Sequence, residues 1–132
     1  MRLLLLAAAL TCFALPARAE EAPPPPKGPL NTLNDIRDAF RACWQWPRLE
    51  DISTGMELTV LLSFKRNGDI FGGRITHESR AVSPEERAVY YKALADAITR
   101  CSPLPLSESL GNAIAGRPMI FRFLDTRKQQ KV

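Results

Sequence analysis

The stretch ELTVLLSFKRNGDI, Glu57 to Ile70, decides how this chain folds. Leu58, Val60, Leu62 and Phe64 alternate with Glu57, Thr59, Leu61, Ser63 and Lys65, which is the two-residue period of a strand with one buried face. Asn67-Gly68-Asp69 is a tight-turn signal, and Ile70 to His77 resumes an extended pattern. The reading is a β-hairpin.

Upstream of the hairpin, Leu33, Ile36, Phe40 and Cys43 recur at helical spacing, with Asp35, Arg37, Asp38 and Arg41 on other faces. This predicts an amphipathic helix that ends before Pro47. Downstream, Ser83-Pro84-Glu85-Glu86 announces a second helix. Ser83 is placed to cap it, Pro84 takes the first helical position, and Glu86 completes a capping box and complements the helix dipole. Tyr91, Leu94 or Ala95, and Ile98 run down one face to Cys101, and Pro103 and Pro105 stop the helix. Ser107 to Ala115 reads as a short third helix with Gly116 at its C-terminus.

The last element, Met119 to Leu124, alternates around Phe121 and Phe123 as a final strand. Met119, Phe121 and Phe123 are expected to face the core, leaving Ile120, Arg122 and Leu124 outward. The order is α-β-β-α-(α)-β, an α+β fold in which a small three-stranded antiparallel sheet packs with two to three helices.

The cysteines agree with this layout. Cys43 ends the first helix and runs into Trp44; Cys101 ends the second and runs into Pro103-Leu104-Pro105. Their matching positions suggest one disulfide clamping two helix ends in an exported domain. With no C-x-x-C motif and a long separation, the bridge reads as structural rather than redox-active.

The N-terminus carries the parts of a secretory signal: Arg2, an apolar core from Leu3 to Leu15, and the small-x-small site Ala17-Arg18-Ala19. A core of about 13 residues falls short of the roughly 20 that a spanning helix needs. Cleavage after Ala19 is expected, with Cys12 leaving in the signal. Removing Arg2 and Arg18 from the 18 basic residues lowers the net charge from +4 to +2. The expected organisation is a signal peptide over 1–19, a stiff Pro-rich spacer over 20–29, one domain over 30–125, and a basic tail over 126–132 containing Arg127, Lys128 and Lys131.

Several chemistries fail on composition. The one histidine, His77, ends the hairpin and reads as an ordinary surface side chain. No ligand set has the spacing of a zinc site. Glu85 and Glu86 face apart on a helix, and Gly72-Gly73 lacks the remainder of a phosphate loop; glycines in a strand more often mark a bulge or a close backbone approach. No cofactor, metal or catalytic set is expected, and basic residues are not interleaved with aromatic ones as a nucleic-acid platform requires. Trp44 is expected beside the disulfide and Trp46 over a core edge.

Taken together, Cys43-Trp44 with Pro47, the Leu58–Phe64 strand with its Gly68 turn, Cys101-Ser102-Pro103-Leu104-Pro105 and Phe121-Arg122-Phe123-Leu124-Asp125 resemble the TonB/TolA C-terminal domain family, and TolA-type domains in particular. The resemblance covers Leu30 to about Asp125. It implies a periplasmic protein-binding module of the Gram-negative cell envelope, not an enzyme, whose partner is an envelope protein or peptide segment added as a strand at a sheet edge. Ile120, Arg122 and Leu124 are the candidate docking row if the last strand is an edge. An uncleaved signal would instead make the chain a short membrane-tethered transducer of the same type, and a periplasmic hydrolase or ligand-binding protein is the remaining alternative.

Overall fold

The computed structural model describes residues 24–48 and 55–127. The expected signal peptide, the start of the spacer, and Lys128 and Lys131 of the tail lie outside the described residues. Six elements follow in the expected order: α1 (Leu33–Cys43), β1 (Glu57–Phe64), β2 (Ile70–Glu78), α2 (Pro84–Cys101), α3 (Glu108–Ile114) and β3 (Met119–Leu124). Among the described residues the sheet is antiparallel with strand order β2-β1-β3, so the most regularly alternating strand lies in the middle and β3 forms an edge. This is the α+β layout expected from the pattern.

Each element begins for a local reason. Thr32 caps α1 by accepting from the Asp35 amide, while the Asp35 carboxylate accepts from the Thr32 and Asn31 amides, a reciprocal box absent from the sequence reading. Those backbone bonds, from Asn31 first and then Thr32, hold the exposed Asp35 carboxyl below the usual carboxylate value. Ser83 caps α2 by accepting from the Glu86 amide, and the Glu86 carboxylate bonds Arg80 at 3.2 Å. Ser107 caps α3 in the same way.

The hairpin turn is fixed by Gly68, whose φ is +90°. A side chain there would sit 1.9 Å from the Leu104 carbonyl oxygen, so only glycine lets the turn close on the segment after α2. The Gly68 carbonyl in turn accepts from the Leu104 amide at 3.0 Å.

Leu58, Val60, Leu62 and Phe64 are all buried, and α1 and α2 cover them. Two details of the helical faces differ from expectation. On α1 the buried stripe is Ile36, Ala39, Phe40 and Cys43, while Leu33 is 45% exposed. On α2 it is Tyr90, Leu94, Ala97 and Cys101; Tyr91 turns to the surface, where its hydroxyl donates to Glu78. Tyr90 wins the interior because its hydroxyl reaches a carboxylate there, that of Asp125, at 3.3 Å.

The Cys43–Cys101 disulfide is present and joins the C-terminal ends of α1 and α2. Arg100 donates to the Cys43 carbonyl, placing a cation at the C-terminus of α1 where the helix dipole favours one. Gly72 and Gly73 sit in β2, whose pairing with β1 slips twice, between Thr59 and Val60 and between Ser63 and Phe64.

Candidate functional site

The asymmetry between the two sheet edges locates the site. The β2 edge carries two bulges, and bulges twist an edge away from further pairing. The β3 edge has an unbroken register with β1 from Leu62↔Met119 to Glu57↔Leu124.

Which backbone groups of β3 face outward follows from that register. The Asp125 amide donates to the Met56 carbonyl at 2.9 Å, so this pair exchanges ladder bonds. In an antiparallel ladder, bonded and non-bonded pairs alternate. Phe123, Phe121 and Met119 therefore bond to β1, while the N–H and C=O groups of Leu124, Arg122 and Ile120 point away from it. Their side chains also face away from the core: Ile120 is 61% exposed and Leu124 43%. β3 is thus an edge whose outward row is the one read from the sequence.

At one end the edge is closed. The indole N–H groups of Trp44 and Trp46 both donate to the Leu124 carbonyl at 3.0 Å, occupying both of its acceptor positions. The Trp44 ring packs edge-on against Phe123, with centroids 5.4 Å apart. Trp46 is 45% exposed, with the Arg127 guanidinium 5.4 Å from its ring centroid.

Arg127, expected in the basic tail, is tied back to the end of β3. It bonds the carboxylate of Asp125 through two nitrogens, and its side chain is only 19% exposed. Asp125 is buried, and burial alone would raise its carboxyl pKa; the bonds from Arg127, its charge and the Tyr90 hydroxyl outweigh this and hold it below the usual value. Burial first, and then the Asp125 charge, push the Tyr90 hydroxyl up to about 12. The end of β3 is therefore pinned by a buried polar cluster that also fixes Trp46.

Beyond that closed end, a trough runs between β3 and α1. Its larger section has a volume of about 630 Å³ and continues past Ile120 and Phe121 into a smaller one of about 300 Å³. Aromatic rings form its floor: Phe40 from α1 meets Phe121 at 4.9 Å and Phe123 at 6.0 Å between centroids. Arg37 and Arg41 stand on the α1 wall and Arg122 on the strand side. A trough with an apolar floor and outward backbone donors and acceptors along one wall can take an extended chain. The α1 wall is not visible in the sequence pattern, although Arg37 and Arg41 flank Phe40 one helical turn apart, a like-charge spacing that works against the helix itself.

Among the described residues no group of three or more His, Cys, Asp or Glu side chains is arranged to hold a metal ion, and no helix is long and apolar enough to cross a membrane. His77 is exposed, opposite Thr59 in the sheet.

No curated protein and no solved structure matches the chain. A family model described as "Uncharacterised conserved protein UCP034077" matches residues 26–127, which takes in every element from α1 to β3 together with the Asp125–Arg127 cluster. The chain belongs to that family.

Proposed function

We propose that this protein is a binding module of the bacterial cell envelope, exported to the periplasm by a cleaved N-terminal signal, and that it docks an extended segment of an envelope partner as an added strand on β3. The observation that carries this reading is the β3 edge: regular, facing a trough, and offering the backbone groups of Ile120 and Arg122 outward. Exposed regular edges are normally blunted or covered, as β2 is by its bulges, so one that no other described strand covers, beside an apolar-floored trough, favours use. The resemblance to TonB/TolA C-terminal domains supports the same mode and the same compartment. On this reading the protein binds and does not catalyse.

A photo-crosslinking residue placed at Ile120 in the native host tests the proposal. It should trap one envelope protein, and a Phe71 position on the opposite edge should not. Ile120→Glu should leave the melting temperature nearly unchanged, because the side chain is exposed, while abolishing capture. Capture through Phe71 alone, or capture indifferent to Ile120→Glu, would remove β3 from the site.

A further inference from the structure

We infer that the segment this edge accepts is acidic: an extended chain carrying carboxylates that meet Arg37 and Arg41 on the helix side or Arg122 on the outer side, according to its register. The inference rests on strand addition at β3 and adds the chemistry of the partner. Three arginines line the trough, and among the described residues no acidic side chain lines either of its sections. Arg37 donates to the neutral amide oxygen of Asn34 and has no carboxylate partner among the described residues. Arg41 meets Asp38 in a pair whose side chains are 77% and 68% exposed, and Arg122 meets Glu57 only at 3.5 Å. Such pairs exchange readily with water and with a better-placed partner. Repulsion between Arg37 and Arg41, one turn apart on α1, is relieved by an anion lying between helix and strand.

The same charges disfavour a second copy of this chain. An antiparallel β3–β3 pair centred on Arg122 sets that residue opposite itself and brings the α1 arginines of both copies to one seam, and like charges directly opposite destabilise a strand pair. A lysine-bearing strand meets the same repulsion. Carboxylates on alternate residues of an added strand fall on one of its faces and meet the arginines of that face, while the apolar residues between them fall on the other.

The test is an amide-resolved NMR titration of the chain from Glu20 to Val132. The probes are blocked peptides of about eight residues in which valine or threonine alternates with glutamate, glutamine or lysine, plus a glutamate peptide interrupted by prolines. At low ionic strength the glutamate peptide should shift the Ile120 and Arg122 amides and bind roughly tenfold more tightly than the glutamine peptide, with the gap narrowing at about 0.5 M salt. Combining Arg37→Gln, Arg41→Gln and Arg122→Gln should bring the two peptides level.

Equal binding of the glutamate and glutamine peptides at β3, or preference for lysine, overturns the acidic partner and leaves strand addition standing. Equal binding of the proline-interrupted peptide overturns strand addition itself, because prolines remove the ladder donors. Peptides that leave both amides unmoved overturn both claims. Amide shifts that follow protein concentration alone identify a second copy as the occupant and overturn the inference.

Discussion

Breaking the Cys43–Cys101 bridge should cost this domain a large part of its stability. The bridge spans a sequence separation of 58 residues. In the chain-entropy treatment, closing a loop of that length removes about 4 kcal/mol of conformational freedom from the unfolded chain. A domain this size is stable by about 5–15 kcal/mol in all, so the loss is a large part of the total. Replacing both residues by alanine should cost more than reduction alone. The two side chains are each 1% exposed and packed among core residues, so deleting both sulfurs adds about 1 kcal/mol or more of lost packing. The assay is urea unfolding of the oxidised protein, of the same protein under a phosphine reductant, and of the double alanine variant. Reduction should lower the midpoint sharply and raise the m-value, because the unfolded chain expands once its loop is opened. The variant should fall further still. A reduced protein within about 1 kcal/mol of the oxidised one would refute the reasoning, showing that the bridge does not restrain the unfolded chain as its span implies.

Other expectations concern the strand end and the turn. Asp125 has a lowered pKa, so its contribution is complete above about pH 4, the unfolded value, and disappears as pH falls through the folded one. Arg127→Met should cost about 3 kcal/mol at neutral pH by stranding the buried carboxylate, and should move the acid-unfolding midpoint upward in a circular-dichroism titration. Tyr90 is raised to about 12, so its contribution is complete below about pH 10 and falls away between about 10 and 12; the slope there should reach about 2–3 kcal/mol in all and flatten in Tyr90→Phe. Gly68→Ala forces a side chain into the Leu104 carbonyl at positive φ and should cost more than about 2 kcal/mol in thermal unfolding, whereas Gly72→Ala, with open space at its Cβ position, should be nearly neutral.

How much was legible in the sequence depended on whether the signal was local. The β1 alternation, the Asn67-Gly68-Asp69 turn, the Ser83-Pro84 helix start and the alternating β3 residues are each written within a few neighbouring positions, and the structure follows them. The α2 face was shifted by one residue because Tyr90 and Tyr91 are adjacent and alike; the choice between them is made by Asp125, 35 residues later in the chain. Arg127 read as tail for the same reason, since nothing nearby shows that Asp125 is buried. The outward row Ile120, Arg122 and Leu124 was visible in the period of β3, and its place at a sheet edge was not. That depended on β1 taking the centre, which only the strand order supplies. The trough was invisible altogether: its wall comes from α1, and its closed end comes from two indoles reaching a carbonyl about 80 residues away.

The central claim is that β3 offers a free edge to an extended partner, and residue-resolved amide hydrogen exchange tests it most directly. In the free protein the Phe121 and Phe123 amides, bonded to β1, should be strongly protected, while those of Ile120 and Arg122 should exchange orders of magnitude faster. In the complex trapped through Ile120, the two fast amides should become protected and the β2 amides should not change. Ile120 and Arg122 amides already protected in the free protein, or still fast in the complex, would contradict the account.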